Sequence, residues 1–204
     1  MQSPVKRVHF DKYIFDVWEN VYEPAEDTFL FAKNLSMEIG VQVLDVGTGC
    51  GILGILAAEK ASKVVAIDLN PYAVRCAKEN SMLNDVGHKM AFMQADLFSA
   101  FTEDAKFDLI LFNAPYLPSD EHESGTWIGR SWAGGVNGRQ VIDLFISQVQ
   151  PHLKDSGQVL LMQSTLANIE ETIRKFDDCK LKATVKVKRK LPFFETLALI
   201  EAKS

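Results

Sequence analysis

Between Val41 and Met162 short apolar runs alternate with helical stretches, and few folds accept that order. The runs fall at Val41–Val46, Lys63–Asp68, Lys89–Ala95, Phe107–Phe112 and Gln158–Met162. The intervening pattern predicts helices over Gly51–Lys60, Pro71–Leu83, Gly138–Leu153 and Leu166–Phe176. Strands separated by helices imply parallel β-α-β units, and hence an open sheet covered on both faces. An earlier helix is expected to open at Glu23-Pro24-Ala25-Glu26-Asp27, where proline and acids both suit a helix start, and to stop near Gly40. Residues 1–22 read as an irregular N-terminal extension.

The end of the chain follows another rule. From Lys180 to Leu191 the residues alternate: Lys180, Lys182, Thr184, Lys186, Lys188 and Lys190 share one parity, and Leu181, Ala183, Val185, Val187 and Leu191 the other. This is a half-exposed strand, and Phe193–Ala202 is expected to pair back onto it as a hairpin. Five parallel strands and a terminal antiparallel pair make a Rossmann-like, seven-stranded α/β sheet. The lysine row reads as an edge strand that charge protects from sheet-to-sheet aggregation, in preference to a basic stripe for RNA or an acidic partner.

No interdomain linker or repeat interrupts the 204 residues, so a single domain over 1–204 is expected. No apolar run approaches the roughly 20 residues that cross a bilayer, and the N-terminus lacks the pattern of a signal peptide. A cytoplasmic protein is expected. The net charge of −5 argues against general attraction to nucleic acid. Cys50, Cys76 and Cys179 form no CxxC pair and read as buried free thiols. His9, His88, His122 and His152 show no ligand spacing, so no metal is expected.

The richest stretch is Asp45-Val46-Gly47-Thr48-Gly49-Cys50-Gly51, at the carboxyl end of the first apolar run, where open α/β sheets bind ligands. Gly49-Cys50-Gly51-Ile52-Leu53-Gly54 also spells the GxGxxG of dinucleotide sites, with Asp68 at the distance of a ribose-binding acid. Charge separates the two ligands. A pyrophosphate would be opposed by Asp45, whereas S-adenosylmethionine (SAM) brings an ammonium and a sulfonium that a carboxylate favours. The glycines moreover begin at Gly47, giving DxGxGxG. Asp68 suits ribose hydroxyls as a double acceptor, and Asp96 could accept from the adenine amino group. Three acids at successive strand ends beside a glycine loop favour SAM.

The fourth apolar run ends in Asn113-Ala114-Pro115-Tyr116. An amide nitrogen is a poor nucleophile because its lone pair is delocalised. Two acceptors on its hydrogens, the Asn113 side-chain oxygen and the Ala114 carbonyl, would orient it and stabilise the charge that develops on it. Tyr116 could stack on the planar group. The long segment Leu117–Asn137, with Trp127 and Trp132, reads as a substrate-covering loop or as a glycine-rich surface loop with tucked-in tryptophans.

At these residues the chain resembles the amino-methyltransferases with an NPPY tetrapeptide, and among them the HemK-type protein glutamine methyltransferases, a class I SAM-dependent group. Val21-Tyr22-Glu23-Pro24-Ala25-Glu26-Asp27-Thr28-Phe29, Trp132-Ala133-Gly134-Gly135-Val136-Asn137-Gly138-Arg139 and Glu195-Thr196-Leu197 are similar to segments of its short eukaryotic and archaeal branch. The resemblance implies the class I methyltransferase sheet, Asn113 beside the cofactor, Thr28 touching it, and no separate N-terminal helical domain. It implies the GGQ glutamine of a translation termination factor as acceptor. It also implies a small zinc-binding activator protein along the edge of Lys89–Gln94. One departure is visible: Ala114 stands where the family usually has the first proline, so the backbone acceptor survives without the ring that fixes its φ angle. Adenine N6, a lysine amine, a non-catalytic SAM-binding module and a nicotinamide oxidoreductase are the rival readings.

Overall fold

The computed structural model describes residues 6–120 and 125–204. The chain divides into two compact units, Met1–Ala100 and Phe101–Ser204. It carries the expected seven-stranded mixed sheet, with strands in the order Met90–Gln94, Lys63–Asp68, Gln42–Val46, Phe107–Asn113, Leu153–Ser164, Thr196–Lys203 and Lys182–Lys190, parallel strands followed by a C-terminal antiparallel hairpin.

The first unit opens with a feature absent from the sequence reading, a hairpin of β1 (Lys6–Phe10) and β2 (Tyr13–Val17). Tyr13, Phe15 and Val17 alternate into the core, and Asp11 makes the turn at φ 50°. Helix α1 covers only Glu26–Asn34, shorter than expected at both ends. Its C-terminus is fixed where the Asn34 amide donates to the Leu30 carbonyl (2.8 Å) and Leu35 turns extended.

Then β3 (Gln42–Val46), α2 (Ile52–Ala58), β4 (Lys63–Asp68), α3 (Pro71–Leu83) and β5 (Met90–Gln94) follow in the expected order. The three strands are parallel, with Val43 opposite Val64 and Val64 opposite Met90. Val43, Leu44, Val64, Ala66 and Ile67 are fully buried, each large aliphatic contributing roughly 1.5–3 kcal/mol. Asn70 caps α3 by accepting from the Tyr72 N–H (2.9 Å), with Pro71 at the first helical position.

The second unit contains β6 (Phe107–Asn113), α4 (Trp127–Arg130), α5 (Gln140–Val149), β7 (Leu153–Ser164), α6 (Ile169–Asp178), β8 (Lys182–Lys190) and β9 (Thr196–Lys203). Several boundaries depart from expectation, and β7 begins at Leu153, before the expected Gln158. Helix α5 stops at Val149 because Pro151 forces a 3-10 turn over Gln150–His152. Asn168, at φ 54°, breaks the predicted helix and caps α6 by accepting from the Glu171 N–H (3.1 Å). Phe193 and Phe194 are not in the last strand; at φ 61° and 67° they form the hairpin tip, and both are fully exposed. Strand β8 lies at the sheet edge, its lysines outward, and Lys186 bulges out of register to meet Glu201 (3.0 Å).

Cys50 and Cys76 are buried and Cys179 is half-buried, all as free thiols. No helix among the described residues is long and apolar enough to cross a membrane. His122 and residues 121–124 of the Leu117–Asn137 segment lie outside the described residues.

Candidate cofactor and methyl-transfer site

In the first unit the loop from Asp45 to Gly51 leaves β3 and enters α2 through a run of left-handed residues: φ is 65° at Gly47, 58° at Gly49 and 92° at Gly51. Only glycine adopts these without strain. Asp45 is buried under the loop. Its Oδ2 accepts from the Thr48 hydroxyl (2.6 Å) and the Gly54 N–H (3.0 Å). A side chain at Gly54 would put its Cβ 2.8 Å from that same oxygen. The last glycine of the apparent GxGxxG therefore makes room for Asp45. Burial, with a smaller push from the nearby Asp68 charge, raises the Asp45 carboxyl to about 7 against the pull of its two hydrogen bonds.

Asp68 ends β4 and faces the loop. Its Oδ2 accepts from the Gly49 N–H (2.9 Å) and its Oδ1 from the Asn70 N–H (2.8 Å). Burial raises its pKa and those two bonds oppose the rise. Each oxygen retains acceptor capacity for a further donor. Nothing lies within 4 Å of where a Gly49 Cβ would stand, so the loop backbone is open to a ligand there. Asp96 is solvent-exposed just beyond β5, in a turn closed by the Ser99 N–H to its carbonyl (3.0 Å). Thr28 is buried on α1, its N–H and hydroxyl both donating to Asp27 Oδ1 (2.6 and 3.2 Å). The Tyr22 hydroxyl donates to the same carboxylate at 3.2 Å.

In the second unit Asn113 is the last residue of β6, opposite Met162 of β7, with its side-chain oxygen shielded from solvent. Ala114 is buried and its N–H donates to the Met162 carbonyl (3.3 Å), a bond that proline could not make. Pro115 and Tyr116 are half-buried. The chain after Tyr116 is tied down at once: the Leu117 N–H donates to Trp132 (3.0 Å), Gly134 to Leu117 (2.8 Å) and Ser119 to Gly135 (3.0 Å). Gly138, at φ 70°, passes so close that a Cβ there would meet the Tyr116 carbonyl at 2.3 Å. Trp127 and Trp132 are both half-buried, and Arg130 lies over the Trp127 ring (5.1 Å).

The sequence reading missed the supporting residues. Thr48 orders Asp45, Asn70 orders Asp68, and Arg139 anchors the loop behind Tyr116. The Asn70-Pro71 cap was legible as a motif. The role of Arg139 was not, because its partners, the Asn168 carbonyl (2.8 Å) and the Thr172 hydroxyl (3.0 Å), lie far along the chain.

A family model described as the methyltransferase small domain matches residues 23–128, which span the glycine loop, all three acids and the tetrapeptide. This chain belongs to that family. It is a SAM-dependent methyltransferase, and its residues fit the cofactor: glycine backbone open at Gly49, acceptors at Asp68 and a buried acid beneath. The methyltransferase is 42% identical over 181 residues to a Methanocaldococcus jannaschii protein whose provisional name is protein N5-glutamine methyltransferase, covering 88% of this chain and 90% of that one. To human methyltransferase HEMK2 it is 32% identical over 195 residues, 90% of each chain. Its fold matches the E. cuniculi Mtq2–Trm112 structure, described as responsible for methylation of the eRF1 translation termination factor, with TM-score 0.71 and 24% identity over 91% of this chain and 99% of that one.

Proposed function

We propose that this methyltransferase transfers a methyl group from SAM to the side-chain amide nitrogen of the GGQ glutamine in a translation termination factor, in the cytoplasm. The observation that carries the reading is Asn113-Ala114-Pro115-Tyr116 at the carboxyl end of β6, in a chain whose relatives are named for glutamine methylation.

SAM supplies an electrophilic methyl on its sulfonium. In this reading Asp68 would accept from the ribose hydroxyls, Asp96 from the adenine amino group, and Gly47, Gly49 and Thr28 would border the cofactor. Asp45 acts from beneath: its hydrogen bonds set the loop, and its charge favours a cationic ligand. Asn113 Oδ1 and the Ala114 carbonyl accept the two amide hydrogens of the glutamine, which holds the nitrogen lone pair toward the methyl. Positive charge grows on that nitrogen during transfer, and the two acceptors stabilise it. The C–S bond would break with its electron pair on sulfur, leaving a neutral thioether, and the proton would pass to solvent after the methyl has moved, so no strong base is required. Tyr116 covers the planar amide and excludes water. Pro115 stiffens the turn between them.

A small zinc-binding activator belongs in the same reading. Strand β5 is an edge strand, and Met90, Phe92 and Met93 are each only half-covered. With Met82 of α3 it borders a groove of about 430 Å³. Such an edge accepts a strand from another chain.

The test is incubation with methyl-labelled SAM and a recombinant termination factor, with and without its GGQ glutamine, alone and with a candidate activator. Label that requires both the glutamine and Asn113 is the expected result. Label on tRNA or DNA adenine instead would sink the reading.

A further inference from the structure

Strand β2 is paired with β1 along one edge. Along its other edge no strand lies among the described residues; helix α3 and the residue after it take that place. The Ile14 N–H donates to Asn84 Oδ1 (2.9 Å), and Asn84 Nδ2 donates back to the Ile14 carbonyl (2.7 Å). Two residues along, the Asp16 N–H donates to Asn80 Oδ1 (2.9 Å), and Asn80 Nδ2 donates back to the Asp16 carbonyl (2.9 Å). The spacings agree. Two residues of strand rise about 6.6 Å and four residues of helix about 6 Å, so amides at i and i+4 meet alternate backbone groups of a strand. One turn earlier, Cys76 Sγ donates to the Asp16 carbonyl (3.1 Å).

Asn80 does more than Asn84. Its second amide hydrogen goes to the Cys50 carbonyl (2.8 Å), between Gly49 and Gly51 of the cofactor loop. The N–H of that same peptide, on Gly51, donates to the Thr48 carbonyl (2.8 Å). The peptide plane is thus gripped at both ends. The loop also runs close to the helix: a Cβ at Gly51 would stand 3.0 Å from Ala77 Cβ, three residues before Asn80. Asn80 is buried, so its hydrogen bonds face no competition from water.

We propose that Asn80 is a positioning residue for SAM binding: it holds the Cys50–Gly51 peptide in its ligand-ready orientation and couples that loop to docking of the N-terminal hairpin. The inference rests on the loop being the cofactor loop. Coupling between two sites is reciprocal, so SAM must tighten the hairpin as the hairpin tightens SAM.

Two measurements test it. On the unaltered protein, hydrogen exchange is followed with and without SAM. Slower exchange is expected in residues 13–17 as well as in residues 46–53; protection of the loop with no change in the hairpin would overturn the coupling. Asn80→Ala and Asn84→Ala are then compared by SAM titration and steady-state kinetics. Asn80→Ala should raise the dissociation constant and KM for SAM about tenfold while kcat at saturating SAM stays within about twofold, the cost of one hydrogen bond from a buried amide. Asn84→Ala, which loosens the hairpin and leaves the Cys50 bond, should change SAM affinity no more than about threefold. Equal losses in the two variants, or none in Asn80→Ala, would reduce Asn80 to a structural residue. Asp68→Ala distinguishes the underlying reading: if it keeps full SAM affinity, the loop assignment itself fails.

Discussion

The Ala114 N–H donates to the carbonyl of Met162 at 3.3 Å, and this bond replaces the constraint that a proline ring would otherwise impose at that position. The two devices restrict the same backbone by different means. Ala114→Pro should therefore retain methyl transfer within about threefold, because the ring restores what the lost bond, worth about 1 kcal/mol, had supplied. Ala114→Gly keeps the N–H but frees the backbone, at a cost of roughly 0.5–1 kcal/mol, and should lower kcat about two- to fivefold. Single-turnover rates at saturating SAM check both. A collapse of activity in Ala114→Pro would show that the N–H has a role of its own.

Asn113 closes β6 with a rigid strand behind it. Asn113→Ala removes one of two acceptors aimed at the reacting amide, and kcat should fall about 10²–10³-fold, as for loss of one oriented transition-state partner. SAM affinity should change far less. An equal loss in binding and turnover would place Asn113 with the cofactor alone.

Gly138 fits where no other residue can. Its φ of 70° is left-handed, and a Cβ there would meet the Tyr116 carbonyl at 2.3 Å. Gly138→Ala must move the backbone of the tetrapeptide. We expect a loss of about 2 kcal/mol or more in stability, together with a fall in kcat larger than that in SAM affinity. Thermal unfolding and kinetics of the same sample separate the two effects. An unchanged kcat would mean that Tyr116 does not need its present position.

Why some of this was legible in the sequence and some not follows from the range of the interactions. Lys63–Asp68 and Pro71–Leu83 have the boundaries the sequence implies, since an apolar run and an Asn-Pro cap are local signals. The hairpin at Lys6–Val17 was missed. Its turn uses Asp11 at φ 50° without a glycine, and β2 finds its second neighbour in two asparagine side chains some 64–70 residues away. The acids of the glycine loop were likewise visible, but not their orientation. Asp45 was expected to favour a cationic ligand by its charge; its carboxylate is buried and turned to Thr48 and Gly54, partners that only the folded loop brings together. Charge and spacing mark where a site lies, while its inner hydrogen bonds depend on three-dimensional closure.

Arg139 shows the same long reach in the second unit. Its buried guanidinium donates to the Asn168 carbonyl (2.8 Å), the Thr172 hydroxyl (3.0 Å) and Asp143 (2.7 Å). Asp143 keeps a second partner in Lys175 (2.6 Å), so removing the arginine does not strand a lone carboxylate. Arg139→Met should cost about 2–3 kcal/mol, from the charge-assisted hydrogen bonds that the carbonyl and hydroxyl groups lose, rather than the larger penalty of an isolated buried charge. Chemical denaturation measures it, and a loss under about 1 kcal/mol would mean that water enters to satisfy those groups.

The Asp45 carboxyl gives the methyltransferase a pH dependence of definite sign. Buried, it titrates at about 7; in the unfolded chain it would titrate near 4. Between those values the folded protein binds a proton that the unfolded chain has lost. Its contribution to stability therefore falls as pH rises from about 4 to about 7 and is level above that range. A cationic ligand acts in the opposite direction, because it favours the carboxylate. SAM binding near pH 6 should then expel a proton, approaching one per cofactor, and its affinity should climb with pH up to about 7. Titration calorimetry in two buffers of different ionisation heat counts that proton. In Asp45→Asn the release should vanish and the affinity should lose its slope below pH 7, because the side chain no longer ionises. A wild-type protein that binds SAM with no proton release at pH 6 would show that the ligand's charge is not felt at Asp45, and would leave the carboxyl only its work of holding Thr48 and Gly54.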